Sequence, residues 1–113
     1  MTPIYLWEIL VPTDKPAWMP GKNRYFTTKY HRQWDAKVVA IAKGLTVWKP
    51  TRGQWISPSG ELFKERMIPV RVACTREQIS QIMDMTAEHY QQEAMMANLL
   101  SQEVIIKHYE RRN

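Results

Sequence analysis

The order of the apolar patterns predicts an α+β fold in which two helices cover one face of an antiparallel sheet. Short runs rich in branched and aromatic residues alternate with two amphipathic stripes, in the order strand, helix, strand, strand, helix, strand. With 113 residues and 44% hydrophobic content, the chain is long enough for one core and too short for two comfortable domains. We therefore predict a single domain over residues 1–113.

Composition indicates a folded protein with an anionic partner. Five Trp, five Tyr and seven Met argue against a disordered chain, and 16 Lys and Arg against 11 Asp and Glu give a net charge of +5. No apolar run approaches the roughly 20 residues needed to span a bilayer, and no basic segment precedes an apolar one at the start. We expect a cytoplasmic protein without a membrane partner. The single Cys74 and the absence of Cys or His at ligand spacing predict neither a metal nor a cofactor.

The first strand is predicted at Ile4–Val11, an apolar run between two prolines. Glu8 interrupts one of its faces, so this carboxylate must be paired, protonated or at a sheet edge, and a structural partner and a site role both stay open. Three prolines and a glycine make Pro12–Gly21 a loop. Its Trp18-Met19 pair either packs on the core or forms a ligand or subunit surface.

The first helix is predicted to begin with Asn23 as its cap and to end at Gly44. Between them the apolar stripe recurs every three or four residues, at Phe26, Tyr30, Trp34, Val38 and Ile41. His31 lies off the stripe beside Arg32, where a solvated side chain and a site role are both open. Leu45–Trp48 follows as a short strand.

A hairpin is predicted to pair Gln54–Ser57 with part of Glu61–Cys74 across a Pro-Ser-Gly turn. Along the second arm, the residues of one parity change midway from polar to apolar. We therefore expect that the distal hairpin projects past the sheet or bulges near Pro69. Glu61 and Glu65 are expected at its mouth.

The second helix is predicted to start at the capping box Thr75–Gln78. Its apolar stripe consists of Ile79, Ile82, Met83, Ala87 and Tyr90. Two further apolar runs, Ala94–Leu100 and Val104–Ile106, make one strand or two. This order is the ferredoxin-like split βαββαβ arrangement, with both helices on one face of the sheet. Tyr5, Trp7, Trp48 and the Met residues suggest that the other face is apolar and is covered by oligomerisation.

Several short motifs resemble, in their shared order, the small bacteriophage S-adenosylmethionine lyases. They are His31-Arg32, Gly44-Leu45, Gly53-Gln54-Trp55, a glutamate-containing hairpin that enters Val70–Cys74, and Ser101-Gln102. The resemblance implies a ferredoxin-like trimer with its ligand between subunits. It also implies cleavage of S-adenosylmethionine to methylthioadenosine and homoserine lactone, which deprives host restriction and methylation systems of their cofactor.

The site residues follow from this resemblance. The family's tyrosine falls on Trp55, which keeps an aromatic face for a sulfonium and loses the hydroxyl. The family's glutamate falls near Glu65, with Glu61 as the fallback. These two positions, Trp55 and Glu65, are the catalytic candidates, and the candidates for ligand contact are Trp18, Met19, Glu61, Arg71 and His31.

Three functions stay open, in order. The first is a lyase or another small-ligand enzyme acting on an adenosine-type ligand. The second is a non-catalytic phage anti-defence module, in the host cytoplasm, that sequesters a nucleotide signal or binds a host protein. The last is a single-strand nucleic-acid binder that uses basic residues and aromatic stacking.

Overall fold

A computed structural model describes residues 2–19 and 21–111, which form an antiparallel five-stranded sheet with two helices. The strands are β1 Tyr5–Pro12, β2 Thr46–Val47, β3 Thr51–Ile56, β4 Leu62–Cys74 and β5 Ala97–Ser101, and the helices are α1 Thr28–Ala42 and α2 Arg76–Tyr90. The sheet order is β2-β4-β1-β5, and β3 pairs with β4. This confirms the predicted ferredoxin-like α+β fold. Pro20, part of the predicted loop, lies outside the described residues.

Strand β4, with 13 residues, is shared between two parts of the sheet. Its second half, from Met67 to Cys74, pairs with β1, whereas its first half, from Leu62 to Met67, pairs with β3. The distal hairpin therefore projects past the rest of the sheet, as one of the two alternatives predicted. The pairing with β1 runs without a shift through Pro69, so the bulge predicted there was wrong. The irregularity lies instead between Leu6 and Trp7, opposite β5.

The core lies between the sheet and the two helices. Residues of β1 and β4 that are direct partners, such as Trp7 with Val72 and Ile9 with Val70, point to the same face and are buried there. Burying each such large apolar side chain contributes about 1.5–3 kcal/mol. The prediction that Tyr5 and Trp7 lie on the face without helices was wrong, because both share the period-two parity of Ile9.

The cap of helix α1 lies four residues after the predicted one. Thr27 is the N-cap, and its side chain accepts a hydrogen bond from the Tyr30 N–H. Asn23 caps only a local turn, accepting from the Tyr25 N–H at 3.1 Å. The reason is that Tyr25 and Phe26 are held in extended backbone by the segment after β1, where the Phe26 N–H donates to the Thr13 carbonyl at 3.0 Å.

The ends of the other elements differ in detail from the sequence patterns. Lys43, not Gly44, takes the left-handed conformation that ends α1, with φ 70°. Helix α2 starts at the predicted capping box, with both reciprocal bonds between Thr75 and Gln78 present.

Residues 102–111 form neither strand nor helix, so the strand predicted at Val104–Ile106 was wrong. No helix within residues 2–19 and 21–111 is long and apolar enough to cross a membrane.

A network of polar and aromatic side chains joins the two helices. The Trp34 indole N–H donates to the Thr86 hydroxyl at 2.8 Å, and the Tyr30 hydroxyl donates to the His89 carbonyl. His31 Nδ1 and the Tyr90 hydroxyl share a hydrogen bond of 2.7 Å. Within the described part of the chain, every buried side-chain nitrogen and oxygen has a hydrogen-bond partner.

His89 is held in one neutral tautomer by its two partners. Lys37 Nζ lies 3.1 Å from Nδ1, and an ammonium can only donate, so Nδ1 accepts. Nε2 then carries the proton and donates to the Tyr30 carbonyl at 2.9 Å. Burial lowers the pKa of His89, Lys37 lowers it further, and the bond to the Tyr30 carbonyl opposes both. Burial likewise lowers the pKa of His31, against the attraction of Asp35.

Acid is therefore expected to destabilise the helix pair. Because the folded pKa of each histidine lies below its unfolded value of about 6.5, the unfolded chain binds more protons, and the free energy of unfolding falls as pH falls from about 7.5 to 5. Urea titrations at several pH values measure this slope. The double variant His31→Gln/His89→Gln replaces both histidines by side chains that form hydrogen bonds but do not titrate. It should reduce the slope of the free energy of unfolding against pH.

The matched control is His108→Gln, in the exposed tail, which should keep the slope of the parent protein. An unchanged slope in the double variant would show that other groups cause the acid sensitivity.

Candidate functional site

The face of the sheet turned away from the helices carries the residues singled out by the sequence. We call it the open face. Its members share one parity along β1, β3 and β4, and in β1 and the second half of β4 they alternate with the core residues: Leu6, Glu8, Leu10, Pro12, Thr51, Gly53, Trp55, Phe63, Glu65, Met67, Pro69, Arg71 and Ala73. The register defines this set, because directly paired residues of neighbouring antiparallel strands point the same way.

The hairpin formed by β3 and β4 places Trp55 and Glu65 on one surface. Trp55 is directly opposite Phe63, and their rings stack with centroids 4.6 Å apart and planes inclined by 15°. Glu65 is opposite Gly53, so it is the diagonal neighbour of Trp55. A Cβ on Gly53 would lie 2.6 Å from the Met67 methyl carbon, so that methyl occupies the space above Gly53. The register therefore places a carboxylate and a thioether on the same surface as an exposed indole.

A second cluster lies nearer the middle of the sheet, where Glu8 is the direct partner of Arg71. Arg71 Nε donates to Glu8 Oε2 at 3.2 Å, and the guanidinium carbon lies 4.5 Å from the centroid of the Trp48 ring. Glu8 therefore has the structural partner that was one of its two predicted roles. Around the pair is a cavity of about 380 Å³, lined by Glu8, Trp48, Lys49, Thr51, Pro69 and Arg71. We call it the Arg71 cavity.

The remaining candidates are distributed over other parts of the chain. Glu61 lies at the hairpin turn, where its N–H and carbonyl bond to Ser57. Trp18 is exposed in the loop before α1, while Met19 packs against the core. His31 lies between the helices and binds Tyr90. The fold thus brings Trp55, Glu65 and Arg71 onto the open face and leaves Met19 and His31 on the helix side.

Sequence reasoning missed three residues of the open face and its cavity. Phe63 was detectable, because it shares the parity of Glu65 two residues away. Lys49 and Thr51 border the Arg71 cavity only because β2 and β3 both pair with β4, which no local pattern indicates. Among residues 2–19 and 21–111, no three His, Cys, Asp or Glu side chains are grouped so that they could hold a metal ion. Cys74 is a free thiol in the core, and burial raises its pKa to about 11.

Comparison with known proteins gives similarity of fold. No family model and no curated protein sequence matches this chain. Among solved structures, the periplasmic divalent cation tolerance protein CutA from Archaeoglobus fulgidus superposes with a TM-score of 0.64 and 9% identity, over 92% of this chain and 88% of that one. The divalent cation tolerance protein CutA1 from Thermus thermophilus gives 0.61 and 10%, over 89% and 87%.

A phage S-adenosylmethionine lyase in complex with S-methyl-5'-thioadenosine superposes with a TM-score of 0.59 and 14% identity, over 90% of this chain and 84% of that one. At these identities the likeness shows the fold alone. The same fold carries cation tolerance proteins and a lyase, so the function must be argued from the side chains on the open face.

Breaking the charged pair of the Arg71 cavity is expected to destabilise the protein. Glu8 and Arg71 side chains are 19% and 39% exposed, so Arg71→Met leaves a largely buried carboxylate without its cation and should lower the free energy of unfolding by about 1–2 kcal/mol. Adding Glu8→Met should recover part of this loss, because no unpaired charge remains. Urea unfolding of the four proteins measures the coupling.

The control is the exposed pair Arg24–Asp14, whose side chains are 75% and 34% exposed. Arg24→Met should change stability little. If the effects of the Glu8 and Arg71 substitutions on the free energy of unfolding were strictly additive, the pair would not be coupled.

Proposed function

We propose that this chain binds S-adenosylmethionine or a related adenosine ligand at the open face, in an oligomer whose neighbouring subunit completes the site. The observation that carries this proposal is the juxtaposition of Trp55 and Glu65 on one surface of the hairpin. An indole face attracts a sulfonium cation, and a carboxylate beside it adds a complementary charge. Similarity of fold to a phage S-adenosylmethionine lyase supports this choice of ligand.

The proposed reaction is an intramolecular displacement. A carboxylate oxygen of the substrate attacks the carbon next to sulfur, the carbon–sulfur bond breaks, and its electron pair neutralises the sulfonium. The products are methylthioadenosine and homoserine lactone, and no proton transfer is required. Such a reaction depends on positioning and electrostatics, so Trp55 holds the sulfonium while Glu65 orients the ligand.

A non-catalytic module is the second candidate, because Trp55 stands where the resembled lyases have a tyrosine. An indole N–H donates a hydrogen bond and cannot accept one, so the hydroxyl's contribution is lost. A protein of this kind would hold an adenosine ligand or a nucleotide signal without converting it. We place either activity in a host cytoplasm, where it would counter restriction or another defence.

Incubation with S-adenosylmethionine separates the two candidates. For a lyase, mass spectrometry should detect both products, and Glu65→Gln should reduce their rate of formation at least about tenfold because an orienting charge is lost. The control Glu88→Gln, exposed on α2 at the other face, should retain the parental rate.

Intact S-adenosylmethionine released on denaturation would support the non-catalytic module instead. The ligand assignment itself is contradicted if neither products nor retained ligand are found.

The proposed oligomer should have a native mass above the 13.4 kDa mass of one chain. The partly exposed apolar groups of the open face favour an oligomer, and the resemblance to the phage lyases implies a trimer, which native mass spectrometry should show. Leu10→Lys, which places a charge on that face, should shift the population towards monomer, whereas Val39→Lys on the exposed side of α1 should not. A monomer at every protein concentration tested would contradict the proposed assembly.

A further inference from the structure

The Arg71 cavity is an open depression with charged side chains at its border, and the proposed reaction does not use it. Its volume of about 380 Å³ falls in the range of small-ligand sites, and its lining mixes an aromatic ring, a proline, a hydroxyl and three charged groups. It is also separate from Trp55 and Glu65, the residues to which the proposed reaction is assigned. Arg71 and Glu65 are six positions apart on β4, which corresponds to roughly 20 Å at the rise of an extended strand.

The charges of the cavity favour an anion. Two cations, Lys49 and Arg71, line it against the single carboxylate of Glu8. Among the described residues, Arg71 donates its side-chain hydrogen bond through Nε, which leaves the two terminal nitrogens of the guanidinium for another acceptor. A guanidinium held by one carboxylate can bind a second acid group through that fork. Lys49 supplies a further ammonium at the rim.

The ring of Trp48 adds a flat surface beside these donors. The indole is 48% exposed, and the Arg71 guanidinium lies against it at 4.5 Å, so ring and cation are fixed relative to each other. Because the guanidinium covers one face of the indole, a planar ring of a ligand would stack on the other face, and bases stack favourably on aromatic side chains. The flat surface of the Trp48 indole and the guanidinium fork of Arg71 together favour a ligand in which a planar ring carries an acid group.

We propose that the Arg71 cavity binds a nucleoside monophosphate, with the phosphate on Arg71 and Lys49 and the base against Trp48. Glu8 holds the guanidinium in place through its bond to Nε. Thr51 borders the same cavity and offers a hydroxyl to the phosphate. This binding is independent of whether Trp55 and Glu65 act on S-adenosylmethionine, because it uses neither residue.

Titration calorimetry with adenosine monophosphate, adenosine and inorganic phosphate tests the site. Adenosine monophosphate should bind at least about tenfold more tightly than either of the others, because only it engages both the donors and the ring. Lys49→Gln and Arg71→Lys should each weaken the binding of adenosine monophosphate and leave the affinity for adenosine nearly unchanged. Trp48→Leu should weaken the binding of both adenosine and adenosine monophosphate.

The matched control is Lys64→Gln, an exposed lysine of β4 on the opposite face of the hairpin, which should bind as the parent does. Circular dichroism of every variant checks that the fold is kept. Equal affinity for adenosine and its monophosphate, no binding of either, or an equal loss in Lys49→Gln and Lys64→Gln would each overturn the proposal. Binding of inorganic phosphate as tightly as the monophosphate would overturn the role of Trp48.

Discussion

The antiparallel pairing of β1 with β4 is the constraint on which the rest of the structure depends. It runs over eight residue pairs, from Tyr5–Cys74 to Pro12–Met67. Because side chains alternate along a strand, this one register sends Ile9 and Val70 to the helices and Glu8 and Arg71 to the open face. A slip by one residue would expose the core and bury the charged pair.

The helices close the core through a contact of a different kind. Apolar stripes bring Trp34, Val38 and Ile82 together, but hydrogen bonds such as Trp34 to Thr86 also fix how α1 and α2 lie against each other. This interface contains two histidines in neutral form. Protonation of these histidines is therefore expected to weaken the contact between α1 and α2.

The sequence was sufficient for the fold class and for both helices, because each helix has a clear stripe and the capping box at Thr75 marks a start that nothing in the fold overrides. It failed where a signal was present but tertiary contacts overruled it, as for Asn23 beside the short ladder at Tyr25. A strand that is apolar on both faces does not reveal which side meets the helices, so Trp7 was assigned to the wrong face. Within the site, local alternation places Trp55 and Glu65 on the hairpin, but the cavity beside Trp48 depends on the pairing of separate strands.

If both proposals hold, the charged pair on the open face links ligand binding to assembly. A second subunit that covers this face removes water from Glu8 and Arg71, and desolvating charges is costly unless other polar groups replace the water. An acid group in the Arg71 cavity supplies acceptors for the guanidinium nitrogens that Glu8 does not occupy. In the proposed assembly, ligand and neighbouring subunit would stabilise the same arrangement, so each would raise the affinity for the other.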